Sequence, residues 1–395
     1  MPTLLSRRRL LQTSLTVSGS ILLSACGGKP NKLLPQSQSS STSQRLSNMN
    51  VNPFSVSGSS NSMRLFASSG FCEDTSRIQR GLDLLSAAGF VVSNTAAPYR
   101  RFQRFAGNDA ERIADLQDVA TGRVPTPKVL MGVRGGYGAA RLLPHIDWVN
   151  LGARMKEKQT LLFGFSDVTA IQLALLAQSG MPSFAGPMLY SEFAKPIPDT
   201  YTMDSFIRTT TQPQSTVFVP AFQFQRAQEI AGTLWGGNLS VLASLVGSPY
   251  MPDIHGGILF LEDVAEQPYR IERMLQTLHL AGILKKQQAI VLGDFRMGNI
   301  RDVYDSSYNL NNVAQTISRT VGIPVFNGFP FGHINNKTSF PLGTHAQLRP
   351  NNNGGYHLTF HAYPTLDASA LNLNALMPLP ASEKASAETT QESEF

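Results

Sequence analysis

The sequence predicts an α/β fold in two domains, an N-terminal layered α/β sheet domain and a C-terminal α/β domain. From about residue 62, short apolar runs alternate with segments of helical periodicity, which is typical of parallel strands joined by helices. The chain has 395 residues, enough for two domains of about 100–200 residues each. Its hydrophobic content of 42% and charged content of 15% are typical of a globular protein with a sizeable core.

The N-terminal domain is predicted to span residues 62–185. Asn108, followed three residues later by Glu111, predicts the capped start of one of its helices. Ligands of parallel sheets bind at the carboxyl ends of the strands, so the residues that follow each strand are candidates for a site. The predicted strands cover residues 63–67, 90–92, 128–133 and 161–163.

The C-terminal domain is predicted to span residues 230–365, after a connecting segment of residues 186–229 that has no clear period. Its predicted strands cover residues 257–261, 289–292 and 324–326, and its predicted helices cover residues 238–246, 269–280 and 311–321. In the second of these helices apolar residues recur at helical spacing, which predicts a buried face.

The first 25 residues are typical of an export signal. Three consecutive arginines, residues 7–9, precede a moderately apolar stretch, and this order resembles a twin-arginine signal. The stretch ends Leu23-Ser24-Ala25-Cys26-Gly27, which resembles a bacterial lipobox in which Cys26 is lipidated and becomes the first mature residue. The alternative is an ordinary secretory signal peptide with an incidental cysteine.

Lipidation of Cys26 predicts attachment to a membrane. A bacterial lipoprotein typically carries three acyl chains, and several chains anchor firmly where a single one does not. Gly27 in place of aspartate favours the outer membrane, so we expect a periplasmic location, or a cytoplasmic one if the export signal is not used. Residues 26–61 are predicted to form a flexible tether and residues 366–395 a disordered tail, because both are poor in apolar residues.

Charge and cysteine content argue against several kinds of site. The formal charge of +6 falls to +3 without the three arginines of the signal, and no basic stripe with interleaved aromatic residues is apparent, so no nucleic-acid partner is predicted. Cys26 and Cys72 are the only cysteines, so no disulfide within one chain is expected. No Cys/His cluster has the spacing of zinc ligands, and neither a metal nor a cofactor is predicted.

Ser166 is the first candidate for chemistry. It lies in Gly164-Phe165-Ser166-Asp167-Val168-Thr169-Ala170, between a predicted strand and a predicted helix. A strained turn at this position, a nucleophile elbow, would expose its hydroxyl and let the amide of Asp167 donate to an oxyanion. The glycine usual two residues after such a serine is replaced by Val168. The alternative role of Ser166 is that of a helix N-cap.

A glycine turn, Arg134-Gly135-Gly136-Tyr137-Gly138, follows another predicted strand. Glycines let the backbone approach a ligand closely, and the amide of Gly135 or Gly136 is a candidate second donor to an oxyanion. The Gly-Lys-Ser/Thr ending of a phosphate loop is absent. A plain strand-to-helix turn is the alternative.

A serine nucleophile needs a base, most often histidine, and a group that orients the base. Of seven histidines, His333 stands out because it follows a predicted strand end within a glycine-flanked loop. Glu262 and Asp263 close another predicted strand, where a carboxylate could hold an imidazole. The alternatives are a structural histidine and an acid that caps a helix or pairs with Arg270 or Arg273.

Together these stretches resemble the L,D-carboxypeptidase family of serine peptidases, which includes murein tetrapeptide carboxypeptidases and microcin C immunity peptidases. The resemblance implies Ser166 as nucleophile, Glu262 as acid and His333 as base, with Glu266 as a nearby competitor for the acid role. It also implies a swivelling-type C-terminal domain and, as in many members, a homodimer. It covers roughly residues 62–350 and is carried by residues 133–138, 141–143, 164–170, 235–240, 259–263, 268–271 and 330–333.

The resemblance implies removal of a terminal D-amino acid, D-alanine in the typical case, from a murein tetrapeptide or related muropeptide through an acyl-enzyme. Arg134 is a candidate for binding the substrate carboxylate. Murein-recycling members are usually cytoplasmic, whereas this chain carries an export signal, which leaves its substrate more open than its reaction. The alternatives are a microcin-immunity-like peptidase or amidase on another peptide conjugate, and a lipoprotein that binds muropeptides without cleaving them.

Overall fold

The computed structural model describes residues 60–220, 229–352 and 354–378. The predicted signal peptide, Cys26 and nearly all of the predicted tether lie outside these residues, as does the predicted tail from residue 379. Within the described ranges, no helix has both the length and the apolar character needed to cross a bilayer.

The first of two sheets carries the loops of the N-terminal half. Its strand order is β11-β5-β4-β3-β1-β2, in which β1 to β5 run parallel and β11 pairs antiparallel with β5. The strands that end in the candidate site, β3 and β4, are buried along their whole length, as expected for parallel strands covered on both faces. The strands are β1 (Ser62–Phe66), β2 (Val91–Ser93), β3 (Val129–Gly132), β4 (Leu161–Gly164), β5 (Ser183–Ala185) and β11 (Phe340–Leu342).

The second sheet is mixed, with strand order β10-β9-β8-β7-β12-β13-β6. Strands β7 to β10 run parallel, and β12, β13 and β6 continue the sheet antiparallel. Every residue of β8 is buried, so this strand lies in the core. The strands are β6 (Gln214–Val219), β7 (Ile230–Asn238), β8 (Gly257–Glu262), β9 (Gln287–Leu292), β10 (Val325–Phe326), β12 (Thr344–Pro350) and β13 (Tyr356–His361).

Helices connect the strands, and most of them begin after a residue whose side chain accepts from a helix amide. Asn108 and Glu111 form the predicted capping box, and Asp74 accepts from the amide of Ser76 at the start of the preceding helix. One helix, α4, is buried on nearly all sides, because it contacts α3 on one side and β7 and α6 on another. The helices are α1 (Thr75–Ala87), α2 (Asp109–Ala120), α3 (Trp148–Lys158), α4 (Thr169–Ser179), α5 (Thr200–Thr211), α6 (Leu239–Ser244), α7 (Pro268–Leu280) and α8 (Leu310–Val321).

Two strands belong to sheets that the predicted domain boundaries do not assign to them. Strand β6 lies in the predicted connecting segment but forms an edge of the second sheet, and β11 lies in the predicted C-terminal domain but completes the first sheet. The alternation of β6 is obscured in the sequence because Phe218, on its exposed face, is 47% exposed and packs against His357 at a ring-centroid distance of 5.0 Å.

The prediction that disorder begins at residue 366 was wrong for residues 366–378. Leu366, Leu373 and Leu376 are buried, and Leu373–Leu376 forms a short 3₁₀ helix that packs against α1. The amide of Asn372 donates to the carbonyl of Ala88 over 3.0 Å. Spaced leucines with a ready apolar partner on α1 outweigh the polar composition of the segment.

Candidate active site

The turn between β4 and α4 holds Ser166 in a strained conformation. Its φ of 61° lies in the left-handed region, which costs a residue with a Cβ atom roughly 1–2 kcal/mol. A Cβ atom on Gly164 would lie 2.4 Å from the side chain of Val168. The turn therefore needs its glycine before the serine, because Val168 fills the space on the other side. Ser166 caps no helix amide, and its hydroxyl points instead to His333.

Three predicted residues form one series of hydrogen bonds. The Nε2 atom of His333 lies 3.0 Å from the Oγ atom of Ser166, and its Nδ1 atom lies 2.9 Å from Oε2 of Glu262. The Glu262 side chain is 1% exposed and that of His333 is 21% exposed. The candidate nucleophile, base and orienting carboxylate are thus within hydrogen-bonding reach of one another, as nucleophilic catalysis requires.

His333 is placed by a backbone bridge at the end of β9. Gly332 pairs with Asp294 as in a parallel sheet, with a φ of 147°, and a Cβ atom there would lie 2.5 Å from the carbonyl oxygen of Asp294. Nη1 of Arg296 donates to the carbonyl of His333 over 2.7 Å. The edge of the Phe165 ring packs against the imidazole, with 5.3 Å between centroids. These contacts fix the position and tilt of the imidazole.

Glu262 is oriented by Asn238, which the sequence marked only as part of a motif. Nδ2 of Asn238 donates to Oε1 of Glu262 and to Oδ1 of Asp263, both over 3.2 Å. Asp263 faces away from the imidazole and accepts from the amide and hydroxyl of Ser240. The amide of Asn238 donates to the hydroxyl of Thr169 over 3.1 Å. Glu262 is therefore tied to the first turn of α4, next to Ser166.

Glu266, the competitor for the acid role, lies elsewhere. Its Oε2 atom is 2.5 Å from Nε of Arg270, one turn along α7. Glu266 lies just before α7, and this partly exposed contact has the geometry of a surface ion pair. The structure thus brings Glu262, and not Glu266, to His333.

The glycine turn after β3 lies against the Ser166 side chain. A Cβ atom on Gly135 would lie 2.7 Å from Oγ of Ser166 and 3.6 Å from the amide nitrogen of Asp167. Gly136 has a φ of 121° and is turned towards Gly70. Within the described ranges, the amides of Asp167, Gly135 and Gly136 donate to no acceptor. Of the two predicted glycines, Gly135 is the one beside the serine.

The carboxylate of Asp167 joins the loops that follow β1, β3 and β4. Its Oδ2 atom accepts from the hydroxyl of Ser69 over 2.7 Å and from the amide of Ala139 over 2.9 Å. Burial raises the pKa of Asp167, although both hydrogen bonds act in the opposite direction. The side chain of Asp167 holds the glycine turn and the serine turn in a fixed relation, a contact that the sequence did not suggest.

A buried ion pair lies under the loop that carries His333. Nζ of Lys337 is 2.6 Å from Oε1 of Glu192, and both side chains are at most 3% exposed. Nζ also donates to the carbonyl of Ile334 over 2.8 Å and lies 4.8 Å from the centroid of the Phe165 ring. Glu192 belongs to a π-helical turn, Leu189–Phe193, after β5. The two partners are 145 residues apart, so no local sequence pattern predicts their pairing.

Cys72 and Arg134 lie near the site with other contacts. Cys72 is free and buried, and burial raises the pKa of its thiol to about 12. Arg134 donates to the carbonyls of Gly135 and Phe71, so part of its guanidinium is engaged by the backbone. Among the residues that the structure describes, no group of three or more His, Cys, Asp or Glu side chains could hold a metal ion.

Comparison with known proteins adds a family to this geometry. Residues 63–186 match the family model described as the LD-carboxypeptidase N-terminal domain, and residues 231–348 match the LD-carboxypeptidase C-terminal domain. A Bacillus subtilis protein named "Probable murein peptide carboxypeptidase" is 29% identical over 280 residues, which are 70% of this chain and 85% of that protein.

Solved structures share the fold. The crystal structure of muramoyltetrapeptide carboxypeptidase from Oxalobacter formigenes superposes with a TM-score of 0.70 and 39% identity, covering 77% of this chain and 100% of that one. The microcin C7 self-immunity protein MccF in its wild-type apo state superposes with a TM-score of 0.66 and 24% identity, covering 78% of this chain and 97% of that one. The MccF likeness shows a common fold.

The two matched regions contain nearly all of both sheets' parallel strands, including the end of β8 with Glu262, and the loops that bear Ser166 and His333. A relative that is 39% identical over its whole length extends the match beyond isolated motifs. The chain therefore belongs to the LD-carboxypeptidase family, peptidase family S66, and is a serine carboxypeptidase.

Proposed function

We propose that this protein is an L,D-carboxypeptidase that removes a terminal D-amino acid, D-alanine, from murein tetrapeptides or related muropeptides. The observation that carries the proposal is the hydrogen-bonded series from Ser166 through His333 to Glu262, beside amides that have no acceptor among the described residues. The substrate class is supported by relatives whose names refer to murein peptides and to muramoyltetrapeptide.

In the first half of the reaction, Nε2 of His333 accepts the proton of Ser166 as the hydroxyl attacks the carbonyl before the terminal D-residue. The left-handed turn exposes this hydroxyl, and Glu262 holds the imidazole with its Nδ1–H towards the carboxylate. In this proposal the amides of Asp167 and Gly135 donate to the developing oxyanion, because the glycine turn lies against the Ser166 side chain.

In the second half, the imidazolium of His333 gives its proton to the departing amine of the D-amino acid. This leaves an acyl ester on Ser166. Water, deprotonated by the same imidazole, then attacks the ester and releases the shortened peptide. The buried carboxylate of Glu262 stabilises the cation of His333 at each stage.

The test is a panel of muropeptides incubated with the wild type, Ser166→Ala and the control Ser244→Ala, and read by mass spectrometry. Ser244 is an exposed serine at the end of α6. We expect D-alanine release by the wild type and the control and none by Ser166→Ala, with unchanged thermal unfolding. Undiminished D-alanine release by Ser166→Ala would contradict the mechanism.

The same panel tests the substrate. If the wild type leaves the tetrapeptide intact but cuts another peptide in a Ser166-dependent way, the substrate assignment is wrong and the catalytic series stands. An aminoacyl conjugate of the microcin type belongs in the panel, because MccF shares the fold. Cleavage of that conjugate alone would favour the microcin-immunity alternative.

We also propose that the protein is exported and held on a membrane through lipid on Cys26. The support is the order of arginines, apolar stretch, small residues and cysteine in residues 7–27. Cys26→Ala should move the protein from the membrane fraction to the soluble fraction. Membrane association that is unchanged in this variant would reject the anchor.

A further inference from the structure

A short hairpin beside the site interleaves arginine with aromatic residues. Residues 99–105 read Tyr-Arg-Arg-Phe-Gln-Arg-Phe, and the backbones of Phe102 and Phe105 exchange two hydrogen bonds of 2.9 Å. Arg100 pairs with Asp115. Arg101 and Arg104 are exposed, and within the described residues neither guanidinium pairs with a carboxylate or donates a hydrogen bond. The hairpin thus presents two cations without an anionic partner.

Both cations are held in place by aromatic rings. The guanidinium of Arg101 lies 4.1 Å from the centroid of the Phe71 ring, and that of Arg104 lies 5.3 Å from the centroid of the Tyr137 ring. A guanidinium stacked on a ring keeps its N–H groups free for a planar anion and loses little freedom when it binds one. Neighbouring Arg141 also stacks, on Phe105, but its charge is paired with Asp109.

The rings that hold these arginines flank the turn beside Ser166. Tyr137 belongs to the glycine turn itself. The amide of Phe71 donates to the carbonyl of Arg104 over 3.3 Å, and the amide of Gly70 donates to the carbonyl of Gly135 over 3.2 Å. Gly135 is in turn the glycine beside the Ser166 hydroxyl. Two backbone hydrogen bonds therefore connect the hairpin, through residues 70 and 71, to the glycine turn beside Ser166.

We infer that Arg101 and Arg104 bind carboxylates of the acyl portion of the substrate, upstream of the scissile bond. This inference rests on the proposed function. The terminal carboxylate of the leaving D-residue lies within one residue, about 3.8 Å, of the scissile carbonyl, and the test below keeps that carboxylate constant while it varies the upstream ones. A murein stem peptide carries free carboxylates further upstream, on its glutamate and diaminopimelate residues. The ligand class is thus an acidic peptide.

Kinetics with charged and neutralised peptides test the inference. The substrates are a murein tetrapeptide with its upstream carboxylates free and the same peptide with them amidated. We expect Arg101→Gln/Arg104→Gln to raise KM for the free peptide about tenfold, about threefold for each exposed charge contact, with kcat within about twofold. KM for the amidated peptide should not change. Raising the salt concentration should increase the wild-type KM for the free peptide only.

A control removes one exposed arginine elsewhere. Arg319 is exposed on α8 and, among the described residues, pairs with no carboxylate. Arg319→Gln should leave both KM values unchanged. The inference is overturned if the hairpin variant loses activity equally on both peptides, if the loss falls in kcat, or if the control behaves like the hairpin variant.

Binding without turnover separates this inference from the proposed function. Calorimetry with Ser166→Ala should show tighter binding of the free than of the amidated peptide, and the added hairpin substitutions should abolish the difference. If that holds but the wild type releases no D-alanine, the proposed reaction fails and the anionic site stands. If the wild type cleaves both peptides equally well, the reaction stands and the inference fails. Absence of binding to either peptide overturns both.

Discussion

Substituting Glu262 by glutamine would change which nitrogen of His333 carries the proton. Oε1 of Glu262 already accepts from the Asn238 amide, while Oε2 faces Nδ1 of the imidazole. In Glu262→Gln the same Asn238 donor selects the remaining oxygen, so the new amide nitrogen faces His333 and donates to it. Nδ1 must then be an acceptor and Nε2 carries the hydrogen. An imidazole in this tautomer cannot accept the proton of Ser166.

The size of the loss follows from two contributions. Turning the glutamine amide around would place two donors against each other in a buried site, at about 1–3 kcal/mol for the unsatisfied group. The imidazolium also loses its charge-assisted bond to a carboxylate, worth about 1.5–3 kcal/mol. At about 1.4 kcal/mol per tenfold, kcat for D-alanine release should fall about 10²- to 10⁴-fold, with KM nearly unchanged.

The assay is steady-state release of D-alanine, with thermal unfolding to show that the variant is folded. Glu266→Gln is the matched control. Its partner is Arg270 on a partly exposed helix face, where an ion pair contributes about 0–1 kcal/mol, so activity should stay within about twofold. The reasoning is refuted if Glu262→Gln keeps more than a tenth of the wild-type activity, or if the activity of Glu266→Gln falls by more than about twofold.

A second substitution tests the tautomer argument itself. In Asn238→Asp/Glu262→Gln the aspartate accepts from the glutamine amide, which leaves the glutamine oxygen to accept from Nδ1–H of His333. Activity should rise at least tenfold above that of Glu262→Gln, although Asp263, 3.2 Å from the Asn238 nitrogen, limits the recovery. Equal activity of the single and double variants would show that charge alone, and not the tautomer, accounts for the loss.

Two further predictions concern stability. Lys337→Met should lower the free energy of unfolding by about 3–5 kcal/mol, because it leaves the Glu192 carboxylate buried and unpaired. Urea denaturation measures this loss in Lys337→Met and in Lys337→Met/Glu192→Gln. Equal losses of stability in the two variants would contradict the explanation. For Cys72, the folded state keeps its thiol proton up to about pH 12, whereas an unfolded thiol with a pKa of 9.0 releases it. Because the folded state then binds more protons, wild-type stability should fall by about 1.4 kcal/mol more than that of Cys72→Ala between pH 8 and pH 10. Parallel declines in urea denaturation at the two pH values would contradict this.

The positions of the site residues could be predicted because these residues follow strands. Ser166, Glu262 and Gly135 each come directly after or at the end of a buried apolar run, and the carboxyl ends of parallel strands meet at one edge of a sheet. The alternation of strands and helices was enough to locate these ends. The family resemblance then favoured a nucleophile over a helix cap, a choice that spacing alone left open.

Local sequence patterns could not decide between Glu262 and Glu266 as the partner of His333. The two acids are four residues apart, and each follows the same predicted strand, residues 257–261. What separates them is that β8 runs through Glu262, while Glu266 lies within reach of Arg270 on the next helix. Arg101 and Arg104 were missed for a similar reason. Seven residues are too few to stand out as a basic stripe, and the pairing of Arg100 but not of its neighbours depends on where Asp115 lies in the fold.

The connectivity beyond His333 explains why the site could not be assigned to one domain. After the loop of His333, Lys337 is fixed to Glu192 behind β5, and the next residues form β11 on the edge of the first sheet. The chain then returns through β12 to pair with β7 in the second sheet. The loop is thus held by Asp294 of one sheet before the imidazole and by the other sheet after it.

On the opposite side, Thr169 of α4 binds the backbone of Asn238, which orients Glu262. Ser166 and its two partners reach hydrogen-bonding distance only because strands, ion pair and helix all cross between the sheets, so the geometry of the site depends on the packing of one sheet's elements against the other's.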